Sequence, residues 1–220
     1  MNQLRHPFIA KCLSSQATGP PAHRLRYLDV GCGGGIFAES AARLPTTKSV
    51  LGIDPTPEVF AIAESHKRQD PLLMEEGRLR YENISVEQLP LPAKPEDGFD
   101  IVSCFEVIEH VSQPAQFLQN LMPHVKPGGW IVLSTIARTW TSWATTVVAA
   151  EDIIRMVPKG THDWNKYINE DELRNWFAKQ PGWESPRAMG VVYVPGFGWK
   201  EVRGSENWAN YFFAVRKKEE

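Results

Sequence analysis

Short apolar runs alternate with helix-favouring segments along most of this chain. Five of the apolar runs are bounded by turn residues and have the length of buried strands. They are Arg26–Val30, Ser49–Ile53, Leu79–Asn83, Phe99–Phe105 and Trp130–Ser134. Between and after them, four segments favour helices. They are Ile36–Leu44, Pro57–His66, Pro114–His124 and Glu170–Gln180. This alternation predicts a parallel sheet that is covered by helices.

Two later apolar runs, Gly190–Val194 and Tyr211–Val215, would pair as closing strands. We therefore predict an α/β fold with a seven-stranded, mostly parallel sheet, helices on both faces and an antiparallel closing strand. Neither a repeat nor a linker divides the chain, so we predict one domain over residues 1–220. Within it, Gly19–Pro21 separates an N-terminal arm, residues 1–21, from the sheet.

Composition fits one compact domain. With 220 residues, 42% of them hydrophobic, the chain can bury a full core. Its net charge of −2 lacks the basic excess that nucleic-acid binding needs, so we expect no nucleic-acid partner. The 3 cysteines have no zinc-ligand or Cys-x-x-Cys spacing, which indicates free thiols in a reducing compartment. Apolar runs in the sequence stay shorter than a transmembrane helix.

A glycine-rich loop follows the first predicted strand. In Tyr27–Ile36 an apolar run that contains Asp29 leads into glycines at positions 31, 33, 34 and 35. Glycines at a strand-to-helix turn let the backbone approach a nucleotide closely. The spacing is G-x-G-x-G rather than the G-x-G-x-x-G of dinucleotide enzymes. With an acid two residues ahead of Gly31, it favours S-adenosylmethionine, which carries an ammonium and a sulfonium, although the glycine pattern alone leaves both ligand classes open.

The second predicted strand also ends in an acid, Asp54. This residue lies about 20 residues beyond the glycines, where a carboxylate can accept hydrogen bonds from both ribose hydroxyls. The alternative is that Asp54 caps the following helix, as many aspartates do at strand ends. We interpret Asp54 as a ribose ligand.

Longer motifs narrow the class. Asp97–Cys104 and Val125–Thr135, together with the glycine loop, resemble class I S-adenosylmethionine-dependent methyltransferases, which have a Rossmann-like sheet. Four further motifs resemble the ubiquinone-biosynthesis O-methyltransferases over nearly the whole chain. These motifs are Phe105–Val111, Ser134–Thr139, Pro158–Trp164 and Val194–Trp199. The resemblance implies methylation of catechol hydroxyls on polyprenylated intermediates, namely polyprenyl dihydroxybenzoate and demethylubiquinol.

The resemblance also implies which residues bind S-adenosylmethionine. Arg5 matches the arginine that pairs with the methionine carboxylate, a role that suits a guanidinium. Gly31 matches the first loop glycine, Asp54 the ribose acid and Phe105 a cofactor contact after the fourth strand. From the residues alone, Arg5 could instead be an exposed terminal cation and Phe105 a core residue. The resemblance places Asn83–Glu87 near the adenine.

Three residues after the fourth strand are candidates for assisting deprotonation of the phenol. Glu106, Glu109 and His110 are spaced so that one helical turn would place them on one face, and the resemblance links these positions to Mg²⁺. The alternative is that this sequence only packs and caps locally. His110 and His162 are the candidate catalytic bases; a loop histidine such as His162 is also common as polar surface.

A membrane contact follows from the polyprenyl substrate that the resemblance implies. After the fifth strand, apolar residues recur at helical spacing. They are Trp140, Trp143, Val147, Ala150, Ile154 and Val157. Such a stripe either packs on the sheet or lies in a membrane interface. The resemblance favours peripheral attachment through an insertion at residues 136–168.

We further expect a eukaryotic mitochondrial member, truncated at its N-terminus. It would lie on the matrix side of the inner membrane, or on the cytoplasmic membrane face if bacterial, with other ubiquinone-biosynthesis proteins as partners. Two other classes stay open: an NAD-type dehydrogenase, which the glycine spacing disfavours, and a cofactor-binding scaffold with little activity. A methyltransferase for another small phenol is a further alternative.

Overall fold

The computed structural model describes residues 1–16, 23–138 and 166–219. The candidate base His162 and the apolar stripe between Trp140 and Val157 lie outside the described residues. The helices of the described part are α1 Asn2–Ser14, α2 Ile36–Ala42, α3 Pro57–Lys67, α4 Pro114–Leu121 and α5 Glu170–Ala178. Its strands are β1 Leu25–Val30, β2 Thr47–Ile53, β3 Leu79–Glu82, β4 Phe99–Phe105, β5 Val125–Ile136, β6 Trp183–Val194, β7 Gly198–Glu201 and β8 Asn210–Lys217.

The strands form one sheet in the order β3-β2-β1-β4-β5-β8-β6-β7. Strands β1 to β5 are parallel, and β8 pairs antiparallel with β5, from Trp130 opposite Arg216 to Ile136 opposite Asn210. The mostly parallel sheet with an antiparallel closing strand is therefore confirmed. The described sheet has eight strands rather than the predicted seven, because Gly198–Glu201 pairs with the end of β6 as a short edge strand.

Helices cover both faces of this sheet, as predicted. Because neighbouring residues of a strand point to opposite faces, Tyr27 packs in one core and Leu28 in the other. In β4, Ile101 and Val102 divide in the same way. Helices α1, α2 and α3 contribute to the Tyr27 core, and α4 and α5 to the Leu28 core.

Helix α1, residues 2–14, packs on the sheet. Its Phe8, Ile9 and Cys12 are buried, and the Phe8 ring centroid lies 5.6 Å from that of Phe212. The sequence predicts only an arm here, since Pro7 lies inside the helix and a proline removes one backbone donor. Tertiary packing holds the helix and fixes the position of its Arg5.

The strand order reverses direction between β1 and β4. Chain connections run from β1 outward to β2 and β3, then return to β4 on the other side of β1. Ligands of open α/β sheets bind at the carboxyl ends of the strands that flank such a switch point. The crevice beyond Val30 and Phe105 is therefore where a site is expected. None of the helices described here has the length and apolar character to cross a bilayer.

Candidate functional site

The glycine loop leaves β1 and is tied to the end of β2. The amides of Gly31 and Cys32 both donate to the Ile53 carbonyl, at 2.8 and 3.1 Å. Gly31 has a φ of 68°, and a Cβ there would lie 2.5 Å from Val107 Cγ2. A Cβ on Gly33 would meet no heavy atom of the described residues within 4 Å. The loop thus packs tightly at Gly31 and opens towards a ligand at Gly33.

Asp54 holds this loop in place. Its carboxylate accepts hydrogen bonds from the Gly33 amide at 3.0 Å and from the Thr56 amide at 2.9 Å, while Asn83 donates to its carbonyl at 2.8 Å. The Thr56 bond shapes the turn that leads into α3, but the N-cap of this helix is Thr56 rather than Asp54. Each carboxylate oxygen can accept more than one hydrogen bond, so both Asp54 oxygens keep capacity for ribose hydroxyls.

Asp29 is a buried acid near the end of β1, 3% exposed. It accepts a hydrogen bond from Ser103 Oγ at 2.8 Å. Burial raises the pKa of its carboxyl to about 6, against the opposing effects of the Ser103 bond and the charge of Arg5. The Ala38 backbone also hydrogen-bonds to this carboxyl. A buried carboxylate is a suitable ligand for an ammonium group.

Arg5 reaches the same crevice from α1. Its guanidinium carbon lies 4.5 Å from the Phe105 ring centroid, and one terminal nitrogen lies 3.8 Å from Glu106 Oε1. Its Nε is buried and has no hydrogen-bond partner among the described residues. Burial lowers the pKa of Arg5, and the charges of Asp29 and Glu106 oppose that shift. An arginine with a buried, unpartnered donor fits an anionic ligand such as a carboxylate.

Phe105 ends β4 and is a core residue in this structure. Its ring packs edge-on against Phe37 at 4.7 Å and against Phe212 at 6.0 Å. Because it also carries the guanidinium of Arg5 on its face, Phe105 positions that arginine. Phe105 is therefore both a core residue and a support for Arg5 at the site.

The turn after β4 differs from the helical face that the spacing predicts. Glu106 has a φ of 59°, in the left-handed region, so the chain changes direction before the single 3₁₀ turn Ile108–His110. Glu106 consequently extends towards Arg5 and is half exposed, whereas Glu109 is 5% exposed and accepts a hydrogen bond from Thr135 Oγ1 at 2.9 Å. His110 lies on the exposed side of the turn.

Glu106, Glu109 and His110 therefore do not share one face of a helical turn in this structure, while their role as metal ligands stays a prediction. In the part of the chain that the structure describes, no three acidic, histidine or cysteine side chains are arranged to hold a metal ion. The physical reason is the left-handed backbone at Glu106 together with the inward direction of Glu109. Burial also raises the pKa of Glu109 to about 7.

Sequence reasoning missed Val107, which packs on the first loop glycine, and gave Asn83 no individual role. Val107 carries no local signal, since only the fold brings it to Gly31. Asn83 follows β3 at the same edge of the sheet as Asp54, a position that could have revealed it.

Comparisons with known proteins agree with this geometry. The Methyltransferase domain family matches residues 3–184. The mitochondrial ubiquinone biosynthesis O-methyltransferase of Candida albicans is 41% identical over 197 residues, which are 88% of this chain and 58% of that protein. The ubiquinone biosynthesis O-methyltransferase of Paraburkholderia phymatum is 37% identical over 195 residues, 87% of this chain and 78% of that protein.

The fold also matches solved structures. The plantazolicin methyltransferase BpumL in complex with SAH aligns with a TM-score of 0.68 at 13% identity, over 99% of this chain and 84% of that one. At this identity the likeness shows the fold alone. The chain spans less than two thirds of the Candida protein but more than three quarters of the Paraburkholderia protein. It belongs to the methyltransferase-domain family and, within it, to the ubiquinone biosynthesis O-methyltransferases.

Proposed function

We propose that this chain moves a methyl group from S-adenosylmethionine to a catechol hydroxyl of polyprenylated ubiquinone precursors, polyprenyl dihydroxybenzoate and demethylubiquinol. The observation that carries the proposal is the pair Arg5 and Asp29 beside the glycine loop. The two charges are close enough to influence each other's pKa. Opposite charges at one site complement the carboxylate and ammonium of a methionine moiety, whereas a dinucleotide has neither group.

The residues of the chain bind and orient the cofactor in this proposal. Arg5 pairs with the methionine carboxylate, Asp29 accepts from the ammonium, and the Asp54 carboxylate accepts from the ribose hydroxyls. The backbone of the loop, open at Gly33, lies against the nucleoside. When bound, S-adenosylmethionine would supply an electrophilic methyl group to the acceptor oxygen and leave as S-adenosylhomocysteine, and the residues of the glycine loop and the end of β4 would hold and orient it.

The acceptor must lose a proton, since a free phenol has a pKa near 10. We propose His110 as the base, because it lies on the exposed side of the turn that follows β4. His162 stays a prediction from the sequence. Magnesium also stays a prediction, and the described residues do not fit it, because Glu109 is turned to Thr135 and Glu106 to Arg5. We derive no step through a metal.

The cellular location of the chain is part of the same proposal. The relative from Candida albicans is named mitochondrial, which supports a mitochondrial location for this chain. A polyprenylated acceptor partitions into lipid, so we propose peripheral contact with the matrix side of the inner membrane through residues 136–168. Other ubiquinone-biosynthesis proteins are the proposed partners.

Two measurements test the proposal. The first is methyl transfer from labelled S-adenosylmethionine to a prenylated catechol, with the same ring bearing a single hydroxyl as the comparison acceptor; we expect one methyl added to the catechol oxygen. The second is calorimetry with S-adenosylhomocysteine and with NAD. Binding of NAD alone would support a dehydrogenase, and binding of S-adenosylhomocysteine without turnover of any phenol would support a scaffold.

A further inference from the structure

An apolar groove opens between α4 and α5, on the face of the sheet opposite α1. Its volume is about 420 Å³, within the range of small-molecule sites. Its apolar lining consists mainly of Val111, Pro114, Ala115, Leu118, Leu173 and Trp176. Leu118 and Leu173 form the floor, each 2% exposed, and the side chains of the two helices form the walls.

The groove begins at the candidate site. Val111 directly follows His110, the proposed base, and Arg138 lies two residues beyond the end of β5. Helices α4 and α5 both start at the carboxyl edge of the sheet: α4 follows β4, and the Ile168 amide just before α5 donates to the Ile136 carbonyl at the end of β5 at 3.2 Å. A molecule whose head lies at the end of β4 therefore has this apolar channel beside it.

Two charged groups at the mouth, Arg138 and Glu172, are held by each other and by Asn169. The Arg138 amide donates to Asn169 Oδ1 at 2.8 Å, and the Arg138 guanidinium pairs with Glu172 at 2.5 Å. Glu172 also accepts from the Asn169 amide at 2.8 Å, which closes the capping box of α5. Because these three polar residues bond to one another, an occupant of the groove would make mainly apolar contacts, with Leu118, Leu173 and Trp176.

We propose that this groove binds the prenyl chain of the methyl acceptor. The inference rests on the proposed function, since it assumes that a polyprenylated catechol lies at the end of β4. A catechol ring above His110 carries its chain away from the reacting oxygen, and the apolar groove at Val111 continues from that point. Isoprene units buried between Ala115 and Trp176 would add binding energy that an unprenylated catechol lacks.

A substitution that fills the groove with a larger side chain tests the proposal and removes no buried side chain from the core. Ala115 is an exposed residue that lines the groove, so Ala115→Phe places a ring in the channel and removes no buried side chain. Gln116→Phe is the matched control, because it adds the same ring to the neighbouring exposed position of α4 outside the lining. The measured quantity is the ratio of kcat/KM for a catechol with two isoprene units to that for the same catechol without them.

We expect Ala115→Phe to lower this ratio by about tenfold or more and Gln116→Phe to leave it within twofold of wild type. An unchanged ratio in Ala115→Phe, or an equal fall in both variants, would overturn the proposal. Circular dichroism shows whether each variant is folded. If Ala115→Phe does not fold, Ala115→Met, a smaller filling, replaces it with the same expectation in direction.

A binding experiment separates this inference from the proposed function. The probe is a farnesyl catechol with both oxygens methylated, which accepts no further methyl group. Binding to the whole chain, measured by saturation-transfer NMR, should be lost in Ala115→Phe and kept in Gln116→Phe. If wild type methylates no catechol yet binds this probe in the groove, the proposed function fails and the groove stands. If wild type turns over prenylated catechol but Ala115→Phe binds the probe as well as wild type and Gln116→Phe do, the groove assignment fails alone.

Discussion

The glycine loop and the turn after β4 meet at the same crevice, but their sequences predict their structures unequally well. The loop motif Tyr27–Ile36 predicts a strand that turns into a helix with an open backbone, and the structure has both. The turn motif Phe105–Val111 predicts one helical face with three polar side chains. The structure instead directs Glu106 to Arg5 and Glu109 into the protein.

The difference lies in what each motif specifies. A glycine loop works through its backbone, and glycine permits the positive φ values that such a turn needs. The direction of Glu106 depends on one left-handed dihedral at a residue type that seldom adopts it. Residue spacing predicts a shared face only if the helix already exists at the first residue, and here the 3₁₀ turn begins at Ile108.

The largest expected effect tests how tightly the two regions pack together. Gly31→Ala should destabilise the fold by about 3 kcal/mol, because its Cβ would overlap Val107 Cγ2 and its φ is positive. Gly33→Ala, the control, has a positive φ but open space, so about 1 kcal/mol is expected. Urea denaturation measures both. Val107→Ala should recover about 1 kcal/mol or more of the Gly31→Ala loss; equal losses at the two glycines would contradict the packing argument.

The sequence could predict most of the sheet, because strand-forming runs and turn residues act locally. It could also predict the position of Asp54 beside the glycine loop, since an acid at the end of β2 must lie beside the loop after β1. It missed helix α1, whose Pro7 argues against a helix and whose stability comes from Phe8 and Cys12 packed on the sheet. It missed the Val107 contact with the loop for the same reason: only tertiary packing creates it.

A second prediction asks whether α1 belongs to the site. Arg5→Gln should weaken S-adenosylhomocysteine binding by about 2 kcal/mol, roughly 30-fold, because it removes a charge-assisted partner of the carboxylate. Lys11→Gln is the control on the same helix, since Lys11 pairs with the exposed Glu201 outside the crevice. Calorimetry at one salt concentration compares the two. Equal affinity in wild type and Arg5→Gln would remove α1 from the cofactor site.

A third prediction uses the pKa of Glu109, which burial raises to about 7 from 4.5. Ionisation of this carboxyl therefore lowers the stability of the folded protein. The stability that the neutral carboxyl contributes is fully present below pH 4.5 and is lost as the pH rises through 7. Glu109→Gln cannot ionise and can still accept from Thr135. We expect the variant to be more stable than wild type by about 1–2 kcal/mol at pH 8, with a smaller difference at pH 5.

Denaturation curves of wild type and Glu109→Gln across pH measure this difference, and the shared effect of Asp29 cancels in it. The magnesium prediction gives the opposite result. A metal would stabilise the Glu109 carboxylate, so added magnesium would raise the stability of wild type at pH 8 and leave the variant unchanged. That outcome would restore Glu109 as a ligand and would show that the turn rearranges around the ion.

The smallest expected effect isolates the dihedral at Glu106 that separates the two regions. Asparagine adopts left-handed backbone more readily than most residues, whereas glutamine has no such preference. Both Glu106→Asn and Glu106→Gln remove the charge that faces Arg5, so their difference reports the backbone. We expect the asparagine variant to be more stable by about 0.5 kcal/mol in urea denaturation. If glutamine is equal or better, residue 106 is not held at positive φ in solution, and the helical face that the spacing predicts becomes possible again.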